Sequence, residues 1–304
     1  MFFRILKGLG ALLMTLLLLA CGAHIVNSGD ETLPPKPEGA LRLATLNVHY
    51  IVQSGADGPW SEAGWDERKG AMQAAVAGIG ADILALQESE TFPATNRDGT
   101  NLTLDYLLEQ NPGYAAAATG DPADFPSTQP ILYRTDRLTL EDQGWFFFSK
   151  TPDVIYSRTF DGSWPAFASW AEFRTSGGRV FRVVNVHFEY RSRSNRRLSA
   201  ALVRDRVAPV IAGGTPVLLV GDINAMHGSA TMDRLEEAGL SFLPVDGATY
   251  HFNRGINLFG PIDHIAHSAG IAPLGDPVVL RRQFEGTWPS DHYPVAADLR
   301  LTGP

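Results

Sequence analysis

The chain has 304 residues, 44% of them hydrophobic and 19% charged, which excludes a disordered or fibrous protein and leaves room for one large core. With 33 acidic against 25 basic residues its formal charge is −8, so it repels nucleic acid and anionic surfaces at long range. A phosphate-bearing substrate would need local positive charge or a cation to draw it in.

The N-terminus reads as a targeting segment. Arg4 and Lys7 form a positive n-region, and Gly8 to Ala20 form an apolar h-region too short to span a bilayer comfortably. The run Leu18-Leu19-Ala20-Cys21-Gly22 resembles the lipobox of bacterial lipoproteins, in which the cysteine is lipidated and becomes the new N-terminus. Cys21 is the single cysteine of the chain, so no intrachain disulfide forms. A plain secretory signal or an uncleaved anchor are the alternatives, and each takes the protein out of the cytoplasm. Ser28 to Gly39, with Pro34, Pro35 and Pro37, reads as an extended tether. The expected organisation is a signal peptide over 1–20, a flexible Pro-rich tether over 21–40 and one catalytic domain over 41–304.

From Leu41 onward, strands and helices are intermixed. Asp66–Gly80 places Met72, Ala75, Val76 and Ile79 at helical spacing, and Leu104, Leu107 and Leu108 mark a second helix that stops near Pro112. Ile131–Tyr133, Leu138–Phe148, Phe167–Phe173 and Val180–His187 read as strands. A helix is expected across Leu198–Val207, a buried strand over Val217–Val220, and a helix capped by Ser229 that ends at Gly239. A last strand is expected over Pro294–Leu301.

Apolar runs repeatedly end in a residue that binds metal or moves protons. Leu43–Leu46 delivers Asn47, Ile83–Gln87 delivers Glu88, Val183–Val186 delivers His187, and Val217–Gly221 delivers Asp222 with Asn224 beyond it. Ile262 precedes Asp263, and Ser290 precedes Asp291 and His292. Polar groups at several buried strand ends imply one shared cleft, and the kit of oxygen donors plus two imidazoles suits metal-assisted hydrolysis of a phosphate ester. Alone, each fragment has a plainer reading: Gly221–Asn224 and Ser290–His292 are also turn chemistry, and His187 is also a hydrogen-bonded core histidine. Glu88 resists that treatment, because an unpaired carboxylate after an apolar run is costly to bury.

In this order the segments Thr45–Val48, Leu86–Glu88, Ser157-Arg158, Asn185–Phe188, Gly221–Asn224, Ile262–Ile265 and Ser290–His292 resemble the endonuclease/exonuclease/phosphatase superfamily. The resemblance implies a deoxyribonuclease-I-like fold, a four-layer α/β/β/α sandwich with two packed central β-sheets. It also implies Mg²⁺, with Mn²⁺ as substitute, held by Asn47, Glu88 and Asp291. Asp222 and Asn224 would position the attacking water or a second metal, and His292 held by Asp263 would act as base. His187 would stabilise charge or protonate the leaving oxygen, and Arg158 would contact the substrate phosphate. One departure is visible: relatives often place a glutamate that orients the histidine at 187, and Pro126-Ser127-Thr128-Gln129-Pro130 offers no carboxylate.

Other features weigh less. Trp145–Phe148, Trp164, Phe167 and Trp170 form either a stacking edge or sheet core, with core favoured. Arg191, Arg193, Arg196 and Arg197 precede a helix, either as a solvated loop or as an anion-attracting lip. His49, His227, His251, His264 and His267 lack zinc spacing. The expectation is an exported, metal-dependent phosphoesterase acting on nucleic acid, a lipid head group or a small phosphorylated molecule. A sphingomyelinase- or phospholipase-C-like head-group hydrolase and a non-catalytic binding module on the same scaffold are the alternatives.

Overall fold

The structure is a computed structural model that describes residues 2–29, 32–54, 57–92, 100–162 and 164–302. The elements run α1 (Phe2–Val26), β1 (Leu41–Asn47), β2 (Ile51–Val52), α2 (Glu62–Ile79), β3 (Ile83–Gln87), β4 (Thr91–Phe92) and α3 (Leu102–Gln110). There follow β5 (Tyr114–Ala117), β6 (Ile131–Arg134), β7 (Leu138–Phe147), β8 (Phe167–Thr175), β9 (Val180–His187) and α4 (Arg193–Ala212). The chain continues with β10 (Val217–Asp222), α5 (Ala230–Glu236), β11 (Ser241–Phe242), β12 (Asp263–His267), β13 (Ile271–Pro273), β14 (Val278–Val279) and β15 (Val295–Leu301).

Two sheets form the centre. One has the order β13-β15-β1-β3-β6-β5 with β14 on β15, the other β11-β12-β10-β9-β8-β7, and β2 and β4 make a small pair apart. β1 runs parallel to β3, and β10 parallel to β9. All residues of β1 and β10 are buried, because each strand is covered on both faces. Side chains alternate across the sheet, so Leu43, Ile83, Val183, Leu218 and Val220 meet between the sheets. Their neighbours Ala44 and Leu84 face Met72, Val76 and Ile79 of α2. On the far side Val184 and Leu219 face Ala200, Val203 and Val207 of α4. The molecule is therefore the α/β/β/α sandwich that the resemblance implied.

Local signals set the helix ends. Ser61 accepts the Gly64 N–H at 2.9 Å to start α2, and Gly80 in the left-handed region stops it. Ser192 caps α4 by accepting the Asn195 N–H at 3.1 Å, so Arg193, Arg196 and Arg197 lie in its first turns rather than in a preceding loop. Ser229 precedes α5 but makes no side-chain capping bond. Phe146, Phe147 and Phe148 are core, whereas Trp164 is exposed.

The N-terminal region differs from expectation in two respects. α1 continues unbroken through Cys21 to Val26, and Gly8–Val26 has a mean hydropathy of 2.2 with none of it buried. Those 19 residues are long and apolar enough to cross a membrane, unlike the shorter run counted in the sequence. The stretch read as a tether is fastened from Leu33 onward. Leu33 packs on the α2 core, Lys36 pairs with Asp82 at 2.8 Å, and Arg42 donates to the Pro34 carbonyl at 2.7 Å.

Candidate active site

The inter-sheet layer changes character along its length, and the site is its open end. On the face that β1 turns to the other sheet, Leu43 is followed by Thr45 and then Asn47; on β9, Val183 is followed by Asn185 and then His187. The middle positions form a buried polar plate. Gln87 Nε2 donates to Thr45 Oγ1 at 3.0 Å and to Asn185 Oδ1 at 2.7 Å, and Asn185 Nδ2 donates to the Leu86 carbonyl at 2.7 Å. Gln129 belongs to the same plate, donating to the Phe167 carbonyl at 2.8 Å while the Gln129 backbone carbonyl accepts from Ser169 Oγ at 2.6 Å. Gln129, in the segment without a carboxylate, is therefore spent on joining the two sheets.

Strand direction brings the chemistry together. Asn47, His187 and Asp222 close β1, β9 and β10, and Glu88 follows β3. Asp263 opens β12, which runs antiparallel to β10 with Asp222 opposite Asp263. His292 lies just before β15, antiparallel to β1. Ends of one set and starts of the other fall on the same edge.

Asn47 Nδ2 donates to Glu88 Oε1 at 3.1 Å and to Asp222 Oδ2 at 3.3 Å. His187 Nε2 lies 3.8 Å from Glu88 Oε1 and 3.6 Å from Asp222 Oδ2. His292 Nε2 lies 3.8 Å from Asp222 Oδ2, and its Nδ1 is 2.8 Å from Asp263 Oδ2. Asn224 is fixed beside them, its N–H donating to Asp222 Oδ1 at 2.9 Å and its Nδ2 to the Phe188 carbonyl at 2.9 Å. Asp291 is a step removed, 3.7 Å from His49 Nε2, and His49 N–H donates to Asn47 Oδ1. Arg158 stands apart from the cluster. It is exposed, next to Thr159, which is tied to the Phe148 carbonyl and to Asn195.

Backbone conformation marks the same place. Glu88 and Asn224 have φ of 55° and 51°, the left-handed region that side-chain-bearing residues avoid. Gly221 has φ of 135°, and a Cβ there would collide with the Val186 carbonyl oxygen. Read in the sequence as turn chemistry, Gly221 lies inside β10, where only glycine allows β9 so close.

Electrostatics concentrate here too. Burial works against charge on His292, but Asp263, by attraction and hydrogen bond, together with Asp222 and Asp291, outweighs it and raises the imidazole to about 10. Asp222 is shifted upward by burial and by Asp263, against the pull of His292 and His187. Glu88 is held below the usual carboxylate range: burial opposes this, but His187, His49, the Asn47 amide and His292 prevail.

The donor set suits a hard divalent cation. Asp222, Asp263 and His292 present ligand atoms within 4.8 Å of one another. His292 and Asp263 are already spent on each other, however, so the Glu88 and Asp222 carboxylates are the better grip. The Asn47 amide stands between those two anions, where positive charge is needed.

Two residues support the cluster from behind, and one of them, Arg68, escaped the sequence reading. Arg68 lies on the buried stripe of α2 between Trp65 and Met72, and donates to the carbonyls of Val48, His49 and Pro289 at 2.8–2.9 Å. Burial lowers it to about 10, with Asp291 and Glu88 pulling the other way. Ser290 Oγ donates to the Asn47 carbonyl at 2.6 Å. A charged residue at the apolar spacing of a helix was the available signal for Arg68.

The endonuclease/exonuclease/phosphatase family profile matches residues 44–292. The chain belongs to that family. As a member of it the protein is a hydrolase acting on phosphate ester bonds, of a family that generally depends on divalent metal. Two similar solved structures come from Bacteroides thetaiotaomicron. An endonuclease/exonuclease/phosphatase family protein is 26% identical with a TM-score of 0.72, covering 86% of this chain and 97% of its own. A mannosyl-6-phosphatase is 26% identical with a TM-score of 0.71, covering 85% and 99%. The human Nocturnin catalytic domain with bound sulfate, 17% identical, covering 87% and 94% with a TM-score of 0.62, shares the fold. No curated protein sequence matches the chain.

Proposed function

We propose that this protein is a Mg²⁺-dependent phosphoesterase of the cell envelope that hydrolyses a phosphate ester by attack of water, with Mn²⁺ as the substitute ion. The observation that carries this is the meeting of Asn47, Glu88, His187, Asp222 and His292 across two sheets within 3.1–3.8 Å. Glu88 and Asn47, with Asp291 behind them, would hold the cation, and Asp222 would share it. A bound Mg²⁺ supplies positive charge against the phosphoryl oxygens.

The remaining steps belong to side chains. Asp222, facing both imidazoles at 3.6 and 3.8 Å, takes the proton of the attacking water while Asn224 fixes its orientation. His292 is kept charged by Asp263, so it donates from Nε2 to the phosphoryl group instead of acting as the base that the resemblance implied. His187 faces the same carboxylates and stabilises the departing oxygen. Arg158, exposed and outside the cluster, would offer its planar fork to two oxygens of one phosphate.

The mannosyl-6-phosphatase neighbour favours a phosphomonoester on a sugar as the first substrate class to try. The apolar α1 supports export, either as a signal cleaved before Cys21, which would then be lipidated and leave a short tether, or as a retained anchor. The test uses the full chain with p-nitrophenyl phosphate, bis-(p-nitrophenyl) phosphate and mannose 6-phosphate. Hydrolysis should cease in EDTA, return with Mg²⁺, and fall at least about a hundredfold in Glu88→Ala. Activity that persists in EDTA would refute the cation's role. No turnover of any ester would favour a binding module on this scaffold.

A further inference from the structure

The foot of α1 is bound to the loop that builds the His292 side of the site. Ala248 N–H donates to the Asn27 carbonyl at 3.0 Å, Asn257 N–H to His24 Nδ1 at 3.0 Å, and Asn257 Nδ2 to Ser28 Oγ at 2.8 Å. The same loop is tied to the active dyad. Thr249 Oγ1 accepts the Asp263 N–H at 3.1 Å, Tyr293 N–H donates to the Thr249 carbonyl, and His251 N–H to the Asp291 carbonyl. No free residue separates the last turn of α1 from its first docking bond.

That fixes where a bilayer would lie. The 19 residues of Gly8–Val26 rise about 28 Å at ~1.5 Å per residue, close to the ~30 Å of a hydrocarbon core. If the chain is cut at Cys21 instead, two residues separate the lipid-bearing position from His24, about 5 Å of helical rise. Both forms put the bilayer surface against residues 248–257. Within and beside this loop region Ile256 and Phe259 are exposed, as is Met226 from the turn after Asp222. A Cβ at Gly260 would lie 3.4 Å from Met226 Sδ, so the two segments run side by side. Arg254, also exposed, adds a cation to the rim. A path of rings leads inward: Phe259 to Phe252 at 6.0 Å, Phe252 to Tyr250 at 4.5 Å, and Tyr250 to His292 at 5.0 Å.

We propose that Ile256, Phe259 and Met226 form a membrane-contacting lip, pressed onto the bilayer by the docked foot of α1, so that the site takes phosphate esters presented at the bilayer surface. The lip stands on geometry alone, and the substrate class rests on the phosphoesterase reading.

The test places the full chain, carrying Cys21→Ser, in phosphatidylcholine/phosphatidylglycerol vesicles with spin-labelled lipid and a fluorophore on Phe259→Cys. Asp136→Cys, on the turn after β6 at the far end of the sheet, is the control. Strong quenching at 259 and little at 136 is expected, and equal quenching overturns the lip. Adding His24→Ala and Ser28→Ala should reduce quenching at 259 to the control level; unchanged quenching overturns the role of the docked foot. Ile256→Ser with Phe259→Ser should lower the ratio of phosphatidic acid hydrolysis on vesicles to p-nitrophenyl phosphate hydrolysis roughly tenfold or more, the scale set by losing two buried apolar side chains. An unchanged ratio overturns the substrate class. If no ester is hydrolysed at all, the phosphoesterase reading fails, and the quenching still decides the lip.

Discussion

The two imidazoles of the site sit in opposite settings. His292 is buried, with 6% of its side chain exposed, held by Asp263 at 2.8 Å and lying against the Tyr250 ring. His187 is 26% exposed and meets carboxylates only at 3.6 and 3.8 Å, on the nitrogen that faces the cleft. One ring is fixed by its surroundings, which favour its charged form, while the other is open to what enters the cleft. Fixed geometry lowers the reorganisation needed when charge develops, so the deeper imidazole should carry more of the rate.

Replacing each ring tests that ordering. His292→Ala should cost at least about a hundredfold in kcat, and His187→Ala less, by roughly tenfold, in parallel assays at saturating Mg²⁺. Equal losses would remove the distinction. Asp263→Asn sharpens it through pH. The carboxylate raises His292, so its removal lowers that pKa. If the charged form is the active one, the alkaline limb of kcat should then begin at lower pH than in the parent protein. A limb that stays in place would mean that another group sets it.

A second contrast lies beneath the ring pair. Arg68 fastens the segment after β1 to the segment before His292 through three carbonyls. Arg68→Met keeps the apolar stem but leaves those acceptors buried without donors, which should cost about 3 kcal/mol in urea unfolding. Arg68→Lys should recover part of that, since one ammonium cannot reach all three oxygens in the same geometry. An unchanged midpoint for Arg68→Met would show that the two loops hold themselves.

Much of this arrangement is legible in the chain. Strand ends are readable because a fully buried strand must be apolar until it meets solvent, so Asn47, Glu88, His187 and Asp222 are marked by the runs that deliver them. Asp263 and His292 are visible only through the order of motifs, because their pairing depends on β12 and β15 entering the sheets antiparallel. The joining plate of Thr45, Gln87, Gln129 and Asn185 is not legible. Nothing local separates a polar residue that bonds across two sheets from one that faces water. The same holds for the foot of α1, since its partners at 248 and 257 lie more than two hundred residues away along the chain. Arg191, Arg193, Arg196 and Arg197 read as preceding a helix, and cations at a helix start oppose its dipole. Arg196 resolves this by turning back to the Glu189 and Tyr190 carbonyls.

The smallest expected effect concerns a third imidazole, whose burial has the opposite consequence from that of His292. His264 follows Asp263 on β12 with its Nε2 2.9 Å from the Ala225 carbonyl and its ring 4.7 Å from His227, and its Nδ1 has no partner among the described residues. Burial, with His227 adding to it, lowers this group from 6.5 to about 4. The fold therefore prefers the neutral ring, and the unfolded chain binds the proton more readily. Stability from this source is complete above about 6.5 and is lost as pH falls toward about 4. Each tenfold difference in proton affinity between the two states is worth about 1.4 kcal/mol, so the loss approaches roughly 3 kcal/mol. His264→Gln keeps an amide donor for the Ala225 carbonyl and removes the titration. Its melting temperature should therefore fall less steeply between pH 6.5 and 4 than that of the parent, even if it starts lower. Parallel slopes would assign the acid sensitivity to other groups, His251 foremost, since burial and the nearby His292 lower it to about 3.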